Sequence, residues 1–105
     1  MRTLVFESWG TKYRCTVEMG SYKNGNTYIQ LWCADGPCAT LTTNISNVKL
    51  PGDYAIIDTN NCPSAEKLMK QYKLGEFADR FVCSGYCMYP VYKLDLDAWA
   101  KYEWE

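Results

Sequence analysis

Residues 12–19 alternate without a break. Tyr13, Cys15, Val17 and Met19 fall on one side of an extended chain, and Lys12, Arg14, Thr16 and Glu18 fall on the other. A period of two marks a half-buried strand with its polar side in water. The segments around it read in the same way. Residues 3–9 are β-rich, with Leu4 and Phe6 on one face and Val5 on the opposite one, and Gly10-Thr11 turns the chain. Asn24-Gly25 is the strongest hairpin signal, because a two-residue turn needs positive φ at both central positions. It leads into a strand at 27–34. Asp35-Gly36-Pro37 makes the next turn, 38–44 returns as a strand, and Pro51-Gly52-Asp53 breaks the chain before an apolar strand at 54–58.

One helix is well marked over about 63–74. Ala65, Leu68, Met69 and Tyr72 form a single apolar stripe, while Lys67, Lys70 and Lys73 occupy the solvated side. Pro63 suits its first turn, Asn61 or a neighbour its cap, and Gly75 its end. Residues 80–94 read as strands interrupted by Gly85 and Pro90, and a last helical turn runs over 95–102 with Leu96, Trp99 and Ala100 inward. Strands joined by tight turns, with one main helix, predict an α+β fold: an antiparallel sheet of about five to six strands with that helix packed on one face. At 105 residues, with no linker or repeat, positions 1–105 form a single α+β domain.

Charge and residue usage then exclude function classes. Eleven Lys and Arg stand against twelve Asp and Glu, a net charge of −1, which argues against a nucleic-acid coat or a polybasic membrane anchor. Histidine is absent, and with it the usual acid–base side chain, most nucleophile–base pairs and most zinc sites. Phosphate-binding glycine loops, serine elbows and carboxylate metal motifs are missing, so no catalytic residue, metal ligand or cofactor is expected. No stretch resembles a signal peptide or a membrane span, which points to a cytoplasmic protein without a membrane partner. Its six cysteines, Cys15, Cys33, Cys38, Cys62, Cys83 and Cys87, then read as reduced, small buried hydrophobes, with a Cys33–Cys38 bridge only after oxidation. Neither the 33/38 nor the 83/87 spacing suits zinc.

Two constellations remain. Asp58-Thr59-Asn60-Asn61-Cys62-Pro63 joins a strand to the start of the helix. Local turn and capping preferences account for every residue in it. The functional alternative is a small polar pocket beside Trp32 and Asp35, holding the phosphate of a nucleotide-like signal, with Cys62 as a thiolate of lowered pKa. Asp58, Asn60 and Asn61 would line it, and Asp35 and Asp58 count against an anion. The second constellation is aromatic. Tyr86, Tyr89, Tyr92, Trp99, Tyr102 and Trp104 crowd the last twenty residues, where Lys93 and Lys101 face Asp95, Asp97, Glu103 and Glu105. With so few basic residues between the rings, base stacking is disfavoured and direct nucleic-acid binding is not expected. Tyr89, Trp99 and Trp104 instead suit a protein interface, although many such rings build the core of a small domain.

Trp9-Gly10, Ile29-Gln30-Leu31-Trp32-Cys33-Ala34-Asp35-Gly36-Pro37, Ala39-Thr40-Leu41-Thr42, the 58–63 cluster, Gly85-Tyr86-Cys87 and Tyr89-Pro90 together resemble a domain-of-unknown-function family of short stand-alone proteins from gut-type bacteria, phages and mobile elements. The resemblance spans nearly the whole chain and brings no catalytic residues with it. It implies an intracellular accessory protein that counters host defences. On that footing the expected function is non-enzymatic: binding and inhibiting a host protein, such as a nucleic-acid-guided (CRISPR) nuclease. The alternative is sequestration of a nucleotide-like small molecule at 58–63.

Overall fold

The computed structural model describes residues 2–103. Seven strands and two short helices follow one another as β1 (Leu4–Ser8), β2 (Thr11–Ser21), β3 (Thr27–Cys33), β4 (Gly36–Thr40), β5 (Tyr54–Ile56), α1 (Ala65–Gln71), β6 (Gly75–Ser84), β7 (Cys87–Leu94) and α2 (Leu96–Ala100). The single sheet expected from the sequence is instead two antiparallel sheets, ordered β1-β2-β3-β4 and β5-β7-β6. They meet where residues 41–43 continue past β4. Leu41 N donates to Ile29 O, Asp58 N donates to Leu41 O, and Thr43 N donates to Ile56 O, so one short segment is hydrogen-bonded to both sheets.

The alternation at 12–19 places Cys15 and Val17 in the core, with Met19 half-buried and Tyr13 at the surface. They join Leu4, Phe6, Ile29 and Leu31 in the larger of two apolar clusters. The smaller one holds Leu50, Ile56, Val82, Tyr89 and Val91. The two faces of β7 divide between them, with Leu94 in the larger cluster and Tyr89 and Val91 in the smaller.

Turn chemistry departs from expectation at both N-terminal hairpins. Trp9 and Gly10, at φ 53° and 79°, form the two-residue turn with positive φ at both positions, closed by the Ser8–Thr11 pair. At Asn24-Gly25 only Gly25 has positive φ. The connection runs over 22–26, built on a β-turn in which Gly25 N donates to Tyr22 O. Asn24 uses its side chain instead: Oδ1 accepts from Asn26 N, and Nδ2 donates to the carbonyls of Ile45, Ser46 and Val48. Buried Asn26 donates to Asn44 Oδ1 and Val48 O and accepts from Leu50 N. These asparagines hold the long β4–β5 connection down over the smaller core, and Thr27 Oγ1 adds a bond to Gly52 O.

Helix α1 is shorter than the 63–74 expected. Ala65, Leu68 and Met69 are buried and Tyr72 is half-buried, as the stripe predicts. Ser64, not Asn61, occupies the N-cap position, and it makes no side-chain bond there. At the other end Lys73 takes the left-handed conformation (φ 54°) expected of Gly75. Gly75 serves a different need, because a Cβ there would lie 2.5 Å from the Lys93 carbonyl oxygen. The helix also reaches the edge strand of the larger sheet, where Val5 N donates to Tyr72 Oη at 2.8 Å.

Pro90 does not interrupt the C-terminal strands. It lies inside β7, opposite Phe81, where β6 carries an irregularity in register between Phe77 and Phe81. In α2 Trp99 is buried and Ala98 packs beside it against the larger cluster. Leu96 and Ala100, expected inside, are exposed, while the Asp95 carboxylate caps the helix by accepting from Ala98 N.

Candidate functional site

The structure sorts the candidate residues into three places. Asp35, Asp58 and Asn61 line one open pocket of about 740 Å³ between the end of the larger sheet and the turn before α1. Trp32 lies outside it. Its neighbour Leu31 faces the core, so Trp32 faces outward, where Nε1 donates to Glu18 Oε1 at 3.0 Å in a different groove. Asn60 is exposed and does not line the pocket. Tyr89 and Trp99 are core residues, not interface anchors. Trp99 is fully enclosed, and among the described residues its indole N–H has no hydrogen-bond partner. Trp104 lies outside the described residues.

Local chemistry builds the pocket from turns. Asp58, only 7% exposed, lies two residues past β5, and its two oxygens accept from Asn61 N (3.1 Å) and Asn61 Nδ2 (2.9 Å). This is the self-contained turn that Asp and Asn favour. Asp35 sits on the two-residue β3–β4 connection. Trp9, 92% exposed on the β1–β2 turn, stands at the rim with Tyr13 beside it. Trp9 was not among the expected site residues, although a residue-Gly pair between two β-rich runs is itself a turn signal.

Cys33, Cys38 and Cys62 also line this pocket, and Cys15 packs in the same core cluster. The alternative reading of Cys62 as a thiolate of lowered pKa meets the opposite shift. Burial and then the neighbouring Asp58 carboxylate push its pKa up to about 11. Burial, followed by the nearby Cys38 and Cys33, pushes Cys15 up to about 12. Desolvation disfavours the charged thiolate, so these groups stay protonated and weakly nucleophilic at neutral pH. All six cysteines are free. A phosphate would find little here either: among the described residues no lysine or arginine lines the pocket, and α1, at seven residues, begins beyond it at Ala65.

The second region is the β6–β7 hairpin. Register places Phe77 opposite Tyr92, Phe81 opposite Pro90 and Cys83 opposite Met88, all on one face. The other face carries Val82, Tyr89 and Val91 into the smaller core. Phe77, Phe81 and Met88 are 39%, 52% and 59% exposed, and Tyr86 at the tip is fully exposed. The rings are held by one another, with Phe77 5.2 Å from Phe81 and 6.0 Å from Tyr92. Tyr92 Oη donates to Glu66 of α1. That bond and burial raise the phenol's pKa, with burial the larger cause. A period of two does not reveal this face in the sequence, because Phe77 precedes the irregularity and Phe81 follows it.

Among the described residues no helix is long and apolar enough to cross a membrane, and no group of three or more acidic or cysteine side chains is placed to hold a metal ion. Comparison with curated proteins and with solved structures gave no match. A family model, by contrast, matches residues 16–105, leaving outside it only β1, the Trp9-Gly10 turn and the start of β2. On that match the chain belongs to the family described as a domain of unknown function (DUF4313).

Proposed function

We propose that this chain is a non-catalytic accessory protein of phage or mobile-element type. It acts in the host cytoplasm by docking onto a host defence protein, such as a CRISPR effector, and blocking it. The observation that supports the reading is the outward face of the β6–β7 hairpin. Three large apolar side chains, Phe77, Phe81 and Met88, stand side by side in water on a face where an isolated two-sided hairpin would carry polar residues. Rings already fixed against one another lose little rotamer freedom on binding, which suits them to anchor an interface. The partner expected is basic. Residues 84–105 carry four carboxylates against two lysines, and Asp95 and Asp97 are exposed just beyond β7. A nucleic-acid channel on a guided nuclease has that charge.

Pull-down from a host lysate at low and moderate salt, followed by mass spectrometry, tests the reading when the Phe81→Ser/Met88→Ser double variant is run beside the parent chain. The expected result is one protein held by the parent and lost by a variant of unchanged melting temperature. No partner above background at either salt, or capture that survives both substitutions, overturns it.

A further inference from the structure

Two cysteine pairs, 33/38 and 83/87, have nearly the same spacing in the sequence, yet the fold treats them differently. We propose that Cys33 and Cys38 form a dithiol modification site, which a low-molecular-weight disulfide such as oxidised glutathione converts to a reversible Cys33–Cys38 bridge. The site is independent of the β6–β7 face and stands whether or not that face has a partner.

Strand register brings the thiols together. Thr16 pairs with Trp32, which sets Cys15 level with Cys33 one step along β2 and β3. On β4, Pro37 pairs with Trp32 and Ala39 with Leu31, so Cys38 is the extra residue at a break in the ladder. An extra residue of that kind re-aims its side chain. Here Cys38 packs with Cys33 on the larger core, and its thiol is in hydrogen-bonding contact with those of Cys15 and Cys33. A disulfide spans only about 4 Å between Cβ atoms, so thiols already in contact are the ones able to bond. At 83/87 strand alternation does the opposite. Cys83 stands opposite Met88 on the outward face, while Cys87 packs against the smaller core on the other.

Access then selects the pair. Cys15 is fully buried, and Cys62, which also borders the pocket, is only 6% exposed. Cys33 and Cys38 are half-buried and both line the open pocket, and Cys33 also borders the groove that holds Trp32. Cys33 is therefore the thiol that an incoming disulfide reaches first. Burial raises the pKa of Cys38, so it follows as the second thiol, acting on a sulfur that the fold holds beside it. The Cys33 thiolate attacks one glutathione sulfur, the glutathione S–S bond breaks, and the expelled glutathione takes up a proton. Cys38 then gives up its proton and attacks the Cys33 sulfur, expelling the second glutathione as a thiol. The protein loses two electrons and two protons, and the glutathione disulfide gains both.

Cleavage after lysine and arginine isolates the site, because residues 24–49 contain Cys33 and Cys38 and no other cysteine. Cys15 falls in 15–23, Cys62 in 50–67 and the 83/87 pair in 81–93. The folded full chain is incubated with oxidised glutathione at mildly alkaline pH, remaining thiols are blocked with iodoacetamide, and the peptides are weighed. Peptide 24–49 should be lighter by two hydrogens and carry neither glutathione nor blocking group, with 81–93 unbridged, and dithiothreitol should restore both thiols. In urea, where the strand register is lost, the two pairs should bridge to a similar extent. Cys38→Ser, which lacks the second thiol, should carry one glutathione on Cys33 and no bridge. Four results would each overturn the assignment in the folded parent chain: two free thiols in 24–49, a glutathione that stays on 24–49, linkage of 24–49 to 15–23 or 50–67, or a bridge in 81–93 formed as readily. A bridge within the chain that survives Cys38→Ser would overturn it as well.

Discussion

The β2–β3 and β6–β7 hairpins are both antiparallel and each packs one face on a core over most of its length, yet their opposite faces differ in kind. The face of the first that points away from the larger cluster carries Thr16, Glu18 and Tyr28, with Gln30 buried beneath bonds from Tyr28 and Thr40 and with Trp32 tied to Glu18. Outward positions on the second carry Phe77, Phe81 and Met88. The rings on the first face carry polar atoms that are hydrogen-bonded, whereas Phe77 and Phe81 carry none, so the second hairpin exposes apolar area that folding leaves unused. The first is a structural wall and the second a surface available for contact. The same contrast divides the two cores: the larger is closed by strands and α1, whereas the smaller depends on a loop fastened by two asparagines.

If that division is right, truncations should cost very different amounts on the two hairpins. Leu31→Ala, at a fully buried β3 position, should lower unfolding free energy by about 3 kcal/mol. Phe81→Ala, at a position 52% exposed, should lower it by less than about 1 kcal/mol. Urea denaturation measures both, and equal losses would remove the distinction between wall and contact surface.

A smaller effect sharpens the same comparison. Asn26→Ala removes two donated bonds and leaves the buried Leu50 N–H without an acceptor, costing about 2 kcal/mol. Because the loop it fastens covers the smaller core, hydrogen exchange should speed up in β7 and β6 more than in β1 and β2. Uniform acceleration would show that the two cores open as one.

The smallest effect is a dependence on pH that belongs to the larger core. Cys62 and Cys15 are raised from 9.0 to about 11 and about 12, so the folded chain holds these protons more tightly than the unfolded chain does. Their stabilisation is complete below pH 9 and is lost as the pH rises through the folded values. The melting temperature should therefore fall between pH 9 and pH 11, and Cys62→Ala should make that fall shallower. An identical fall in parent and variant would mean that Cys62 is not what titrates.

The sequence reveals the wall better than the contact surface, for a physical reason. Alternation at 12–19 is visible because its two faces meet different solvents. Within residues 75–84 large apolar side chains lie on both faces, Val82 toward the core and Phe77 and Phe81 toward water, and Asp79, with φ 55°, lies within the register irregularity, so no period of two survives there. The helix stripe is local and legible. The division into two sheets is not, because it rests on bonds between 41–43 and 56–58, which are far apart in sequence. At the pocket, Asp35, Asp58 and Asn61 stand out as turn residues. The rings do not sort themselves: Trp99 and Tyr89 are buried, Trp32 faces another groove, and Trp9 is placed by a backbone angle that composition does not encode.

Chemical ageing follows from one fastening described above. Asn24 precedes Gly25, a pairing that leaves the side-chain amide open to attack by the following backbone nitrogen, and asparagine amides are among the groups least durable to heat. Its Nδ2 points at three carbonyl oxygens of the β4–β5 connection. Hydrolysis to aspartate would exchange that donor for a charged acceptor facing other acceptors, turning three attractions into repulsions. The loop over the smaller core would then lift while the larger core stayed shut, so an old sample and a fresh one should differ first in the hydrogen exchange of residues 45–52.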